Sequence, residues 1–201
     1  MVTESMTSSS THARGHAMSL PNILTYGRIA AVPALVACFY VEGHLANWLA
    51  LTVFIAASIT DFLDGYLARA WQQQSALGRI LDPIADKLLV AAALMMLVDA
   101  GTIGGWSLLA AIIILSREIL VSGLREFLAE LRVSVPVTNL AKWKTTMQMV
   151  AIGFLLAGPA GDAVIPGVSL VGLTMLWLSA ILTLYTGWDY FRAGIRHAME
   201  E

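Results

Sequence analysis

Asp61 and Asp64 lie three residues apart, and Asp82 and Asp86 four apart, in the stretch DFLDGYLARAWQQQSALGRILDPIADK at 61–87. On helices both spacings place the pair on one face. A link as short as QQQSALG can fold the second segment back on the first, so that four carboxylates converge. Like charges ~4 Å apart repel by about 1 kcal/mol in water and about 4 kcal/mol at an effective dielectric of ~20. Such a cluster needs cations. Carboxylate oxygens suit Mg²⁺, Mn²⁺ or Ca²⁺, and Mg²⁺ commonly sits between a few carboxylates and substrate phosphates. Two ions sharing bridging carboxylates would serve an in-line displacement at phosphorus. For any single aspartate, a solvated helix-end carboxylate paired with a nearby Arg or Lys is the plainer reading. Four at matched spacing, in segments otherwise poor in acids, favour a functional site.

The residues between the pairs fit that chemistry. Arg69 follows Asp61 and Asp64 by one or two turns and can grip a phosphate through its bidentate fork. Gly65 either lets a ligand approach the backbone or serves helix packing, which is common in membranes.

The elements that carry these residues are apolar. The chain has 201 residues, of which 58% are hydrophobic and only 13% charged; soluble domains carry roughly 25% charged residues. A transmembrane helix needs about 20 mostly apolar residues, and six candidates occur, at 22–41, 45–67, 83–101, 104–124, 140–160 and 166–190. Their separators are VEGH, ARAWQQQSALGR, AGTIGG, LREFLAELRVSVP and AGPAGD. Pro33 falls inside the first span, where neighbouring helices can satisfy the freed backbone, so a kink is expected there and not a break. The expected fold is an all-α integral membrane domain of six transmembrane helices over 19–196. A disordered tail precedes it at 1–18 and a short one follows at 197–201.

Lys and Arg occur at the N-terminal side, in the second and fourth separators or beside them, and after the last span; the other three separators have none. The positive-inside rule then puts both termini and the four aspartates on the cytoplasmic side. The single cysteine, Cys38, excludes an intrachain disulfide. The tail lacks the ordered parts of a secretory signal. His12, His16, His44 and His197 have no ligand spacing.

The full pattern D-x2-D-G-x2-A-R-x8-G-x3-D-x3-D is present as Asp61, Asp64, Gly65, Ala68, Arg69, Gly78, Asp82 and Asp86. It resembles the signature of the CDP-alcohol phosphotransferases, integral membrane enzymes of phospholipid synthesis, and the likeness spans about residues 20–195. The resemblance implies transfer of a phosphatidyl or related group from a CDP-linked donor to an alcohol, with release of CMP. It implies Asp61, Asp64 and Asp82 as ligands of one metal, Mg²⁺ or Mn²⁺, and Asp61, Asp82 and Asp86 as ligands of a second. Asp86 would be the general base. Asn22, Thr25, Asp61, Gly65, Ala68, Arg69, Ser75 and Gly78 would bind the donor, CDP-diacylglycerol. A homodimer among membrane lipids is also implied, and no nucleic-acid partner.

The acceptor must be read elsewhere. Arg117 lies within the fourth span, where a charge costs about 2.5–3.5 kcal/mol on insertion scales unless paired or wetted. With Arg125, Lys142 and Lys144 it could form a basic pocket for an anionic acceptor such as a phosphate monoester; an ion pair with Glu118 or another acid is the structural alternative. REI-x-VSGLRE and K-x-K-T-x-x-Q resemble the branch of the family whose acceptor is sn-glycerol 3-phosphate, carried by Arg117, Glu118, Arg125, Glu126, Lys142, Lys144, Thr145 and Gln148. A bacterial inner membrane, with the site facing the cytoplasm, is the expected location. Inositol phosphate, serine or a lipid alcohol would keep the chemistry and change the acceptor. A prenyltransferase would share the DxxD motifs but not the Gly65/Ala68/Arg69 pattern. A transporter would put its charges near the midplane of broken or repeated helices, whereas here they gather at one end.

Overall fold

The computed structural model describes the backbone of residues 20–71, 76–130 and 139–198, and side chains within 24–63, 81–128 and 143–188. The described residues form six helices: α1 (Leu20–Cys38), α2 (His44–Trp71), α3 (Ala76–Asp99), α4 (Ser107–Glu130), α5 (Asn139–Val164) and α6 (Val168–Ala198). No strand occurs among the described residues. The tail at 1–18, residues 199–201 and Ser75 lie outside them.

Among the described residues, four stretches are long and apolar enough to cross a membrane: His44–Leu63, Ser107–Leu128, Trp143–Val164 and Val168–Trp188. The apolar part of α1 is shorter, Leu24–Cys38. α3 carries Asp82, Asp86 and Lys87 in its first half, which dilutes its hydropathy. Large apolar side chains such as Phe62, Ile119, Leu170 and Tyr185 are exposed, as befits a bundle whose outer surface meets lipid.

The helices outrun the hydropathy. α2 continues to Trp71 and α4 to Glu130, absorbing residues that the sequence assigned to separators. Hydropathy marks where the hydrocarbon ends; charged residues such as Arg125 and Glu126 leave the backbone ladder intact. Pro33 lies within a continuous α1.

AGPAGD, expected as the link between the last two spans, is instead part of α5. The helix kinks at Gly158 (φ 42, ψ −130) before Pro159 and runs on to Val164. The turn proper comes at 165–167, with Gly167 at φ 96. Positive φ is cheap only for glycine, and Pro159 both fixes its own φ and disfavours a helical residue before it. The carbonyl of Leu156 accepts a hydrogen bond from Asn47 Nδ2 on α2 at 3.1 Å. A polar side chain thus satisfies backbone next to the kink, as apolar surroundings demand.

α5 packs most extensively on α6, as does α4, and α2 also packs on α5. Among the described residues α3 packs little on α2 directly: both lie chiefly against α1. Small residues line the contacts, among them Ala50, Ala57, Ala93, Ala151 and Ala180, all buried, so backbones approach closely. Hydroxyls within the helices bond back one turn, as Thr52 does to the Trp48 carbonyl and Ser58 to that of Phe54; polar groups are thereby satisfied without a neighbour.

Candidate active site

One end of the bundle gathers the charges. Thr25 and Arg28 are one turn apart on α1 and so share a face. Thr25 Oγ1 donates to Asp82 Oδ1 on α3 at 2.6 Å. Arg28 Nη1 lies 2.6 Å from Asp61 Oδ1 on α2. The arginine is 1% exposed and its aspartate 48%, so the cation is sealed in the bundle while the carboxylate reaches the surface. Asp61 also faces electrostatic repulsion from Asp82, and Asp86 from Asp61 and Glu118. Three of the four expected carboxylates are therefore brought into one electrostatic neighbourhood, from α2 and α3.

The remaining members of the pattern fall where side chains are not described: Asp64, Ala68, Arg69 and Gly78, together with Asn22 and Lys142. The backbone of each is helical, as is that of Gly65. Among the described residues, no three His, Cys, Asp or Glu side chains already stand close enough to cage an ion; Asp61 turns to Arg28 and Asp82 to Thr25. The donor set nonetheless suits a hard divalent cation, since it consists of carboxylates from two helix ends whose mutual repulsion a cation would relieve.

Beside Asp86 opens a cavity of about 280 Å³ bounded by α3, α4 and α5. Its polar lining is Asp86, Lys87, Glu118, Thr145 and Gln148, and its walls include the lipid-exposed Ile84, Leu88 and Ile119. Gln148 is 3% exposed and its Oε1 has no hydrogen-bond partner. An orphaned buried acceptor carries a cost of about 1–3 kcal/mol, which a ligand hydroxyl in the cavity would remove. Lys87 Nζ donates to Ser122 Oγ on α4.

The basic residues expected around the acceptor are arranged differently from a bare pocket. Lys144, 3% exposed, donates to Glu118 Oε1. Arg117 Nη1 reaches the same oxygen at 3.4 Å, and its Nη2 donates to Thr186 Oγ1 on α6 at 3.1 Å. Two cations from α4 and α5 thus converge on one anionic oxygen. Gly187 makes room for this. A Cβ there would lie 3.3 Å from Arg117 Cγ and 3.4 Å from its Nε. Arg125 is exposed on α4, close enough to Lys144 for the two charges to repel.

A second, larger cavity of about 620 Å³ runs between α2 and α5, from Trp48 to Leu63. Its lining is apolar apart from Ser58 and includes Phe62 and Leu63, which follow Asp61 in the chain.

A model of the CDP-alcohol phosphatidyltransferase family matches residues 18–185. The chain belongs to that family. A CDP-diacylglycerol–glycerol-3-phosphate 3-phosphatidyltransferase of Rickettsia bellii is 48% identical over 175 residues, covering 87% of this chain and 94% of the relative. One of the same name from Cereibacter sphaeroides is 42% identical, covering 91% of this chain and 98% of its own length. A rice protein named cardiolipin synthase (CMP-forming) is 41% identical over 87% of this chain and 57% of its own. CDP-alcohol phosphatidyltransferases generally depend on a divalent metal, which agrees with the carboxylate donor set.

The sequence reading did not single out Arg28, which the structure sets against Asp61, and Thr25, expected at the donor, is bonded here to Asp82. The signal was available for Arg28: an arginine eight residues into an apolar helix, in LPNILTYGRIAA, needs a buried acid. Only its value for orientation was used.

Proposed function

We propose that the protein transfers a phosphatidyl group from CDP-diacylglycerol to sn-glycerol 3-phosphate, giving phosphatidylglycerol phosphate and CMP. The observation that carries this reading is the convergence of Arg117 and Lys144 on one anionic oxygen beside the Asp86 cavity, in a chain whose relatives bear that activity's name. An acceptor phosphate presents the same kind of oxygen as Glu118, and a fork plus an ammonium suits it.

In the proposed reaction an acceptor hydroxyl oxygen attacks the phosphorus that bears the diacylglycerol. The bond from that phosphorus to the CMP oxygen breaks, and CMP leaves. Asp86 accepts the hydroxyl proton from within the cavity, and Gln148 Oε1 accepts a hydrogen bond from a second acceptor hydroxyl. Asp61, Asp64, Asp82 and Asp86 would hold the divalent metal, Mg²⁺ or Mn²⁺ and two ions in our reading, whose contribution is to neutralise the diphosphate. Gly65, Arg69 and Ser75 would receive the cytidine diphosphate end. The apolar α2–α5 groove supports a place for an acyl chain, because its lining is apolar and includes the lipid-exposed Ile55, Ile59 and Phe62. Arginine and lysine gather at the site end of the bundle, which supports a cytoplasmic face of a bacterial inner membrane.

A second reading keeps the chemistry with a lipid-borne hydroxyl as acceptor. The rice relative's name and the lipid-exposed walls of the cavity favour it. The test is CMP release by the purified protein in detergent, with CDP-diacylglycerol, Mg²⁺ and one acceptor at a time. Glycerol 3-phosphate alone should support release, and EDTA should abolish it. Release with phosphatidylglycerol, inositol phosphate or serine instead would overturn the acceptor assignment while keeping the carboxylate site. No release with any acceptor, from folded protein, would overturn the reaction.

A further inference from the structure

Arg28 is the most buried charge in the described structure, and it does not line either cavity. At 1% exposure it is closed off from substrate, so any effect on the chemistry passes through a partner. That partner is Asp61, at 2.6 Å. One turn earlier on the same face, Thr25 holds Asp82 at 2.6 Å. The helix bearing both contacts packs on α2 and on α3, which pack only slightly on each other. The distance between the two carboxylate-bearing helices is therefore set by α1, and the rotamers of Asp61 and Asp82 by its two polar side chains.

We propose that Arg28 is a positioning residue: with Thr25 beside it, it holds Asp61 and Asp82 at the separation and orientation that divalent-metal binding requires. The inference rests on the metal-dependent reading above. Its physical basis is preorganisation. Carboxylates that repel one another splay apart unless tethered, and a site even slightly too loose loses affinity. Asp61 is tethered through a single guanidinium nitrogen, Arg28 Nη1, while its carboxylate stays about half exposed.

Electrostatics alone makes the opposite forecast, which renders the idea testable. Replacing Arg28 by a neutral residue adds one net negative charge to the site, and simple Coulomb attraction would then tighten cation binding. A positioning role weakens it. Mn²⁺ binding to the detergent-solubilised full chain, followed by electron paramagnetic resonance, reads the difference without reference to turnover. Arg28→Met should bind Mn²⁺ at least about tenfold more weakly than the unmodified protein. Arg28→Lys, which keeps the charge but not the planar fork, should lose about threefold, and Thr25→Val a similar amount. Unchanged or tighter binding by folded Arg28→Met would overturn the proposal. If that variant does not fold, Arg28→Lys decides: full affinity overturns the proposal, and a loss with an unchanged melting midpoint supports it. An unmodified protein that binds no Mn²⁺ would overturn the metal-dependent reading itself, and this inference with it.

Discussion

The two ends of the bundle solve the same problem differently. At the site end, side chains pair with side chains across helices: Arg28 with Asp61, Thr25 with Asp82, Lys144 with Glu118, and Lys87 with Ser122, while Arg117 joins its neighbour Glu118. At the far end they serve the backbone. Asn47 donates to the Leu156 carbonyl, and Asp162 Oδ1 accepts from the amide of Ser169 at the start of α6. The far end therefore spends its polar groups on closing turns and a kink. The site end keeps charged groups buried and paired with one another, an arrangement of small net stability in which loss of one partner is costly. Charges held at that cost, beside a cavity with an orphaned Gln148 oxygen, single out this end as the candidate site.

Three substitutions test this contrast, from the largest expected effect to the smallest. Asp86→Asn removes the proposed base at the cavity and should lower the rate of CMP release by about 10²–10⁴-fold. Its melting midpoint in detergent should stay near that of the unmodified protein; comparable loss of fold would make Asp86 structural instead. Glu118→Gln leaves Lys144 buried with no carboxylate beside it, and by the measured cost of breaking buried pairs should destabilise the protein by about 3 kcal/mol. Denaturant titration checks the figure, and glycerol 3-phosphate should recover part of it by offering Arg117 and Lys144 another anion. An equal loss with and without glycerol 3-phosphate would separate those cations from the acceptor. Gly158→Ala belongs to the other end. Its backbone conformation costs an L-residue about 1–3 kcal/mol, and the new Cβ would lie 3.3 Å from Asn47 Nδ2. Stability should fall by that amount, while CMP release per folded molecule stays within about twofold. A large loss of turnover in the folded protein would mean that the two ends are coupled.

Much of this was legible because the signals are local. Apolar runs near 20 residues located the six helices, and the aspartate spacing located the carboxylates at one end. The errors share one cause. Hydropathy reports the surroundings of a residue, so it placed separators at 124–136 and 157–162, where α4 continues to Glu130 and α5 bends at Gly158 but goes on. Arg117 and Lys144 were recognised as basic residues of interest, yet their shared partner Glu118 was one option among several, since only the packing of α4 on α6 and the approach of α5 select it.

By itself, then, the sequence determined the membrane class, the helices and the family signature, and it singled out the four carboxylates proposed to hold a metal. These follow from hydropathy, helical periodicity and fixed spacing within a single segment. The tertiary structure decided that α2 and α3 both lie chiefly against α1, that Arg28 and Thr25 clasp Asp61 and Asp82, and that Glu118 gathers the two cations beside the Asp86 cavity. Apart from Arg117 and its neighbour Glu118, such pairings join residues from 26 to 57 positions apart. They depend on which helix faces are buried against one another, and no local pattern encodes that choice.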